Sequence, residues 1–325
     1  MSVVLTRSRV SNALKCYANY ALSLSGLVRI SHAPLFVSVE PAAVCQLRCP
    51  ACPVGRRDTG IPGYRDLDKT MSNAVWQRVL DQIRDTAFIV QFYFQGEPLL
   101  NKDLPTMIRE AHEAGLYTIV STNAQTMTEE MAESLVTAGL DRIIVSMDGL
   151  TDESYNAYRV GGSLEKTKDA LRYLHSQKSK VKSQKPIIDL QCLRLKTNEH
   201  EWDEFKRIYQ SLGADRLTFK TAQLYDYADG HPLIPSDPRY SRYIKGSDGR
   251  YHRRKRSKNC WRVWSGVVVT TNGEVLPCCY DKAHEYAYGN IMTASLKDLF
   301  AGEKANAFRR AALLQKPLIC QECWK

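Results

Sequence analysis

The chain has 325 residues, of which 44% are hydrophobic and 25% charged, and its formal net charge is +10. These values are typical of a soluble globular protein with one large domain and a smaller one. The length excludes a small disulfide-stapled protein, and no stretch is apolar and long enough to span a bilayer. Ten cysteines occur, most of them in closely spaced groups, which favours metal binding in a reducing compartment. We therefore expect a cytoplasmic location.

Residues 1–34 are predicted to form an amphipathic helical extension. Apolar residues recur at helical spacing between Arg7 and Arg29, with basic residues among them. A helix docked on the rest of the chain is the preferred interpretation. A basic helix that contacts a membrane surface is the alternative. The apolar part is interrupted by polar residues and lacks a convincing cleavage site, which argues against a signal peptide.

From residue 35 to residue 221, strand-like and helix-like patterns alternate. Strands are predicted at 35–40, 88–94, 117–121, 142–147, 187–193 and 217–221, and helices at about 72–84, 104–114, 129–138, 163–177 and 201–212. Such alternation indicates βαβ units, a parallel sheet and right-handed crossovers. Six units are too few for a closed eight-stranded barrel. The predicted fold class is therefore α/β, a partial (β/α)6 TIM-like barrel, with an open doubly wound sheet as the alternative.

Three cysteines lie in the loop that leaves the first predicted strand. Cys45, Cys49 and Cys52 are separated by three and then two residues. Three thiolates from one short loop can hold three irons of a [4Fe–4S] cube. Because no fourth cysteine occurs at this spacing, the fourth iron is open to a ligand that is not protein, as in catalytic zinc sites. A zinc knuckle or unrelated free thiols are the alternatives.

This CxxxCxxC run resembles the signature of the radical S-adenosylmethionine (SAM) superfamily. The resemblance implies that SAM chelates the open iron and is cleaved to a 5′-deoxyadenosyl radical, which abstracts hydrogen from a substrate. It also implies the partial barrel and a low-potential electron donor of the flavodoxin or ferredoxin type. The residue before the third cysteine is often aromatic in the family but is Ala51 here. Stacking on the adenine would therefore come from elsewhere.

The predicted contacts to SAM follow the later strands, because the carboxyl ends of parallel strands share one edge. The segment 95–98, Gln-Gly-Glu-Pro, resembles the family's GGEP motif, which holds the amino group of SAM, with Gln95 in place of the first glycine. In similar proteins an arginine at the position of Arg159 pairs with the carboxylate of SAM; a surface arginine is the alternative. The predicted cofactor-binding residues are Gly96, Glu97, Pro98, Ser121, Asn123, Ser146, Arg159 and Gln191.

Residues 222–259 lose the periodicity and are predicted to form a bridging loop that lines the substrate cavity. The densest basic run, 250–258, lies within it. A solvated loop is the preferred interpretation, so we expect no specific nucleic-acid partner. Contact with nucleic acid or another anionic surface is the alternative.

Residues 260–325 are predicted to form a second metal site. Asn272-Gly273 signals a hairpin, and a helix at about 295–314 returns the chain to a terminal CxxC. Four cysteines brought together in this way can hold zinc or a [4Fe–4S] cluster. The predicted ligands are Cys260, Cys278, Cys320 and Cys323.

The pattern C-x12-G-x4-C followed by a distant CxxC resembles the SPASM/Twitch extension of radical SAM enzymes. With four suitable cysteines, it resembles the shorter Twitch form with one auxiliary [4Fe–4S] cluster. In sulfatase-maturing relatives, an acidic general base follows this cluster cysteine. Here Cys279 follows it, and Asp281 lies two residues further on, so both are candidate catalytic residues. A packed bystander is the alternative for Cys279.

The expected function is a radical SAM oxidation or dehydrogenation of a small molecule such as a sugar or aminocyclitol. The reason is that only residues 1–34 precede the barrel, which is too few for a peptide-leader-binding domain. Modification of a ribosomal peptide or a protein is the first alternative. A noncatalytic, metal-stabilised nucleic-acid-binding protein is the second.

Overall fold

A computed structural model of the chain describes residues 3–56, 70–254, 260–321 and 323. Its strands are β1 (Phe36–Val39), β2 (Ile89–Phe92), β3 (Tyr117–Thr122), β4 (Arg142–Ser146), β5 (Ile187–Arg194), β6 (Arg216–Thr221), β7 (Tyr243–Lys245), β8 (Tyr251–Arg253), β9 (Gly266–Val269), β10 (Glu274–Leu276) and β11 (Gly289–Asn290). Its helices are α1 (Arg7–Leu24), α2 (Asn73–Ile83), α3 (Leu104–Glu113), α4 (Glu129–Thr137), α5 (Asp152–Asn156), α6 (Leu164–Lys180), α7 (Trp202–Ile208), α8 (Arg262–Ser265), α9 (Leu296–Ala301), α10 (Glu303–Leu313) and α11 (Leu318–Gln321).

Strands β1 to β6 lie side by side in chain order, and each pairs in parallel with the next. Helices α2, α3, α4, α6 and α7 follow the strands, as βαβ units require. The predicted strands and helices of residues 35–221 are all present, with ends that differ by a few residues. The helix predicted at 201–212 is shorter: it follows a 3-10 helix (Lys196–Glu201), begins at Trp202 and ends at Ile208, and residues 209–212 form turns.

Local sequence explains how a typical βα unit forms. The Ser72 side chain accepts a hydrogen bond from the backbone N–H of Val75 and so caps the start of α2. One face of α2 is then buried against the sheet, where the ring of Trp76 lies 5.4 Å from that of Phe92. The apolar period of 3.6 in the helix and the nearly continuous apolar run of β2 therefore meet in one core.

The C-terminal hairpin extends the same sheet on the other side of β1. Strand β9 pairs in parallel with β1, with Val37 opposite Val267, and β10 and β11 follow in antiparallel order. The turn signalled by Asn272-Gly273 is present, with Gly273 at a φ of +82°. The cysteines of the C-terminal region are thereby placed beside the first strand of the barrel.

Three details differ from the sequence-based expectations. The single helix expected at 295–314 is two helices, α9 and α10, because the chain is extended at Gly302, where an added Cβ would lie 2.7 Å from the carbonyl oxygen of Asp298. The bridging loop contains the antiparallel pair β7–β8. Helix α5 was not predicted. Residues 57–69 of the loop after Cys52 and residues 255–258 of the basic run lie outside the described residues.

Helix α1 docks on the barrel through polar side chains. Arg9 is 1% exposed, and its guanidinium donates to the carbonyl oxygens of Arg84 at 2.6 Å and Ala114 at 2.7 Å. These carbonyls end α2 and α3, where the helix dipoles favour a cation. Asn12 donates to the carbonyl oxygen of Ala33 at 3.0 Å. Among the helices of the described ranges, none combines the length and apolarity needed to cross a bilayer.

We expect Arg9→Met to lower the free energy of unfolding by about 3 kcal/mol, because several buried carbonyls lose a charged donor. Arg7→Met is the matched control, since Arg7 lies exposed two residues earlier and should change stability by less than about 0.5 kcal/mol. Urea unfolding followed by circular dichroism measures both. Equal effects of the two substitutions would contradict the assigned role of Arg9.

Candidate active site

Cys45, Cys49 and Cys52 line one cavity of about 280 Å³ at the carboxyl ends of the barrel strands. The loop is closed by a hydrogen bond from the backbone N–H of Cys52 to the carbonyl oxygen of Cys49 at 3.1 Å. Burial raises the pKa of the Cys45 thiol to about 12 and that of Cys49 to about 11. The protein alone therefore favours the thiol forms, and a bound metal cation would release their protons.

This arrangement fits a cluster better than a single ion. Within residues 3–56, 70–254, 260–321 and 323, no three Cys, His, Asp or Glu side chains are arranged to hold one metal ion. An iron–sulfur cube instead takes one thiolate on each of several irons, so its ligands surround a larger group. No other described cysteine lines this cavity. A [4Fe–4S] cube with one iron lacking a protein ligand is therefore compatible with this donor set.

Gly96 allows the chain after β2 to pack directly on the cysteine loop. Its φ is +51°, and an added Cβ would lie 2.1 Å from the carbonyl oxygen of Ala42. The backbone N–H of Glu97 donates to the carbonyl oxygen of Val44 at 2.8 Å. Because glycine alone tolerates both the backbone angle and the contact, this position sets the approach of the two segments.

The Glu97 carboxylate is fully occupied by internal donors. It is 2% exposed and accepts from the Thr122 hydroxyl at 2.5 Å and from the backbone N–H groups of Asn123 at 2.7 Å and Leu99 at 3.1 Å. Pro98 is buried beside it. Glu97 therefore joins the ends of β2 and β3. The backbone carbonyl groups of residues 95–98 are then better suited than this carboxylate to accept hydrogen bonds from the amino group of SAM.

Asn123 contacts the cysteine loop directly. Its amide donates to the Cys45 sulfur at 3.4 Å, while its oxygen accepts from the Gln46 side chain at 3.0 Å. Ser121 and Ser146 line the same cavity. Gln191 lies opposite Ser146 across β4 and β5 but does not line the cavity. Of the predicted cofactor contacts, Pro98 and Gln191 are the two that do not line this cavity.

Arg159 is held inside the cavity by a buried carboxylate. Its Nε donates to Asp148 at 2.5 Å, and its Nη1 lies 4.0 Å from the Cys49 sulfur. Asp148 is 0% exposed and also accepts from the backbone N–H of Leu193 at 2.6 Å. Burial lowers the pKa of Arg159, but Asp148 and Cys49 outweigh this effect and raise the pKa well above its ordinary value. Arg159 is therefore a permanently charged guanidinium beside the cysteine loop and is not a surface arginine.

A second cavity, of about 290 Å³, lies between the barrel and the C-terminal hairpin. Cys278 and Cys279 line it, next to the first two strands of the barrel. Four residues line both cavities, which therefore meet: Tyr93, Phe94, Gln223 and Lys282. These four residues could not be identified from the sequence, because nothing local distinguishes them from ordinary strand ends and loops.

The C-terminal cysteines lie together beside this second cavity. Burial raises the pKa of Cys278 well above its ordinary value, and the adjacent thiols of Cys279, Cys260 and Cys323 raise it further. Burial raises the pKa of Tyr288, and the nearby thiols of Cys278 and Cys320 raise it further. Cys260 and Cys323 therefore lie near Cys278, and the backbone N–H of Cys323 donates to the carbonyl oxygen of Cys320 at 3.4 Å, which keeps Cys320 in the same group.

The two candidate catalytic residues have different surroundings. Cys279 lines the second cavity, and the Arg262 guanidinium lies 3.7 Å from its sulfur. Asp281 is 0% exposed, and its carboxylate accepts from the backbone N–H groups of Glu285 at 2.9 Å and Tyr286 at 3.0 Å. Asp281 does not line the cavity. The geometry thus favours Cys279 over Asp281 for contact with a substrate.

A buried carboxylate lies close to the boundary between the cavities. Glu40, which follows β1, is 1% exposed and accepts from the backbone N–H of Thr271 at 3.4 Å. Burial raises the pKa of Glu40 to about 7, although Thr271, Lys282 and the Gln95 backbone counteract the shift. Because the folded state binds this proton more tightly than the unfolded state does, stability falls as the pH rises from about 4.5 through about 7.

We expect Glu40→Gln to flatten this pH dependence. Near pH 4.5 the variant and the parent should unfold at similar urea concentrations, whereas at pH 8 the variant should be more stable by about 3 kcal/mol. Glu133→Gln on the exposed face of α4 is the control and should follow the parent at both pH values. A variant that is less stable than the parent at pH 8 would show that the ionised Glu40 carboxylate does not destabilise the folded state.

Comparisons with known proteins give the family. Residues 39–207 match the family model of the Radical SAM superfamily, and residues 260–324 match that of the SPASM iron–sulfur cluster-binding domain. PqqA peptide cyclase of Granulibacter bethesdensis is 24% identical over 319 residues, which cover 89% of this chain and 79% of that protein. PqqA peptide cyclase of Bradyrhizobium diazoefficiens is 26% identical over 270 residues, which cover 75% and 66%.

Solved structures of similar fold include SuiB of Streptococcus suis bound to the precursor peptide SuiA. Its TM-score is 0.66 at 15% identity, and the match covers 93% of this chain and 71% of SuiB. BtrN in complex with AdoMet and 2-DOIA has a TM-score of 0.56 at 18% identity, with 91% and 95% covered. At these identities the likeness is one of fold, and the predicted α/β partial barrel with a C-terminal hairpin unit is confirmed.

The prediction of small-molecule oxidation is wrong. It rested on the assumption that a peptide substrate needs a leader-binding domain before the barrel, whereas the similar curated proteins are peptide cyclases and SuiB is seen with a precursor peptide. The predicted enzyme class is confirmed, as are the cofactors, [4Fe–4S] clusters and SAM. The motifs, the parallel sheet and the family match agree, and this chain belongs to the radical SAM superfamily.

Proposed function

We propose that this radical SAM enzyme modifies a peptide or protein substrate in the space between its two groups of cysteines. The observation that carries the proposal is the continuity of the two cavities, which share the four lining residues named above. A substrate segment in this space would contact both the Cys45 loop and Cys279. The names of the similar curated proteins support a peptide as that substrate.

Cys45, Cys49 and Cys52 would hold the first [4Fe–4S] cluster, and the four C-terminal cysteines the auxiliary one. When bound, the first cluster and SAM supply the radical chemistry that removes a hydrogen atom from an unreactive C–H bond. Asp148 orients the Arg159 guanidinium, which is suited to pair with the carboxylate of SAM. Of the remaining predicted cofactor contacts, Gly96, Glu97, Ser121, Asn123 and Ser146 line the same cavity, and Pro98 and Gln191 do not.

The second cavity has a positive lining. Arg242, Arg262 and Lys282 line it, and no Asp or Glu is among the described residues that do so. Lys282 lies 4.6 Å from the centre of the Phe94 ring, which holds its ammonium group between the two cavities. This charge favours a substrate segment that carries a carboxylate near the reacting C–H bond.

The test uses the reconstituted, reduced protein with SAM and two pools of synthetic peptides. One pool carries Asp or Glu at a fixed position, and the other carries the matching Asn or Gln. We expect the acidic pool to increase formation of 5′-deoxyadenosine and to yield peptides that have lost two hydrogens, measured by mass spectrometry. Failure of both pools, together with stimulation by amino sugars, would overturn the proposal.

Cys279→Ser and Asp281→Asn separate the two candidate catalytic residues. With a peptide that is turned over, we expect Cys279→Ser to lower product formation at least about tenfold while SAM cleavage continues. Asp281→Asn should keep most of the turnover and lower the free energy of unfolding by about 1–2 kcal/mol, since it weakens two hydrogen bonds to backbone N–H groups. Normal turnover in both variants would remove both residues from the mechanism.

The electron donor is proposed to be a low-potential flavodoxin or ferredoxin. A net charge of +10 favours association with an acidic partner protein. Reduction by such a donor should then slow as salt is added, since the attraction between the two proteins is screened. Stopped-flow measurement of the reduction rate at two ionic strengths tests this.

A further inference from the structure

Helix α1 carries its polar residues inward and its apolar residues outward. The buried positions of the helix are Arg9, Asn12, Cys16, Asn19 and Ser23. On the opposite side lies a second stripe with the same seven-residue repeat, which we call the outer face: Val10, Leu14, Tyr17, Ala21 and Leu24. We infer that the outer face binds the surface of an anionic lipid bilayer. This inference concerns a surface remote in sequence from the catalytic residues and does not depend on the identity of the substrate.

The inward polar stripe is a complete docking surface by itself. Besides the bonds of Arg9 and Asn12, the Asn19 amide contacts His32 Nδ1 at 3.2 Å, and the Cys16 thiol donates to the carbonyl oxygen of Trp264 at 3.4 Å. The helix is therefore held on the barrel without any contribution from Val10, Leu14 or Leu24. Of the outer face, Tyr17 contacts Trp261, whereas Val10, Leu14 and Leu24 stay largely exposed and are available to another surface.

The exposed fractions are large. Val10 is 44% exposed, Leu14 65%, Tyr17 60% and Leu24 55%. Leu5, just before the helix, is 66% exposed. A helix of this length spans roughly 27 Å, so these side chains form an elongated apolar stripe. A contiguous exposed stripe of this kind marks an interaction site rather than ordinary scattered surface residues.

Charge favours a lipid surface as the occupant. The first 39 residues contain no Asp or Glu, and Arg7, Lys15 and Arg29 are exposed at the sides and ends of the outer face. The whole chain carries a net charge of +10. An apolar stripe flanked by basic residues is the pattern of helices that lie in the plane of a bilayer and are attracted to anionic lipids.

The aromatic residue of the outer face is suited to the same surface. The Tyr17 ring stacks on that of Trp261 at 4.8 Å, with an angle of 19° between the rings. The stack fixes Tyr17 while most of its side chain stays accessible. Tyrosine and tryptophan are enriched where a protein meets the headgroup region of a membrane.

The test is flotation of the reconstituted full chain with two kinds of vesicle. One kind is phosphatidylcholine alone, and the other contains equal parts of phosphatidylcholine and phosphatidylglycerol. The test variant is Leu14→Glu with Leu24→Glu on the outer face. The matched control is Val181→Glu with Ile244→Glu, two exposed apolar residues elsewhere on the protein. Iron content and 5′-deoxyadenosine formation, measured without vesicles, confirm that each variant is folded.

We expect the parent and the control to bind the anionic vesicles at least about tenfold more strongly than the neutral ones. The outer-face variant should lose at least about tenfold in binding to the anionic vesicles while its SAM cleavage is unchanged. Equal flotation of the two variants, or no binding of the parent to anionic vesicles, would overturn the inference. A parent that sediments as a dimer and an outer-face variant that sediments as a monomer, with neither on vesicles, would make this surface a contact between two copies.

Discussion

Replacing Cys49 by alanine is expected to abolish SAM cleavage and to remove about half of the iron. The parent should contain about eight irons per chain when both sites are reconstituted, and the variant about four. The physical reason is that Cys49 is one of three cysteines among the described residues that line its cavity, so a cube there would keep two protein ligands and would no longer be held. Anaerobic iron and sulfide analysis and chromatography of 5′-deoxyadenosine measure the two effects.

Two control variants test whether the loss of SAM cleavage is specific to the first cluster. Cys260→Ala should lose a similar amount of iron from the auxiliary site and yet still cleave SAM, because its thiol lies with the C-terminal cysteines. Cys16→Ala removes a buried thiol of α1 and should retain all of the iron. If Cys49→Ala cleaves SAM at the rate of the parent, the first cluster is not held where we place it. Zinc in place of iron in the parent would contradict both cluster assignments.

The barrel could be predicted from the sequence because its signals are local. An apolar run such as 88–94 identifies a buried strand, and Ser72 identifies the start of the following helix. The pairing of β9 with β1 joins residues more than 200 positions apart, and no local pattern encodes it. The orientation of α1 could not be predicted either, because apolar spacing alone would place the apolar face inward. Only the distant carbonyl groups at the ends of α2 and α3 explain why Arg9 lies inside.

In the candidate site, too, residues in short motifs could be predicted from the sequence, whereas the contacts between distant residues could not. The cysteine spacing, Gly96 and Arg159 were identified from motifs, and the structure places all of them around one cavity. Asp148, the partner of Arg159, could not be identified from the sequence, since Asp148-Gly149 has the pattern of an ordinary turn. Similarly, Cys279 and Asp281 were equal candidates by sequence, and their surroundings distinguish them: Cys279 lines the second cavity, whereas backbone N–H groups hold Asp281 away from it.

The buried pair of Asp148 and Arg159 is expected to show the largest effect on stability. Asp148→Asn leaves the Arg159 guanidinium buried beside a neutral amide, and we expect a loss of about 3–5 kcal/mol in the free energy of unfolding. Arg159→Gln should cost a similar amount, because the Asp148 carboxylate is then buried without its cation. Arg172→Gln, which breaks the exposed pair with Glu165, is the control and should cost less than about 1 kcal/mol.

The double variant of this pair tests whether the two residues act together. If Asp148 holds Arg159 in place, the double variant should be destabilised by clearly less than the sum of the single variants, with a coupling energy of about 1–3 kcal/mol. SAM affinity, measured by equilibrium dialysis of the holoenzyme, should fall at least about tenfold in all three variants, because each removes the oriented guanidinium. Asp148→Asn is informative here, since it keeps Arg159 and removes only its orientation. Additive stabilities, or an unchanged SAM affinity in Asp148→Asn, would show that the carboxylate does not position the guanidinium for the cofactor.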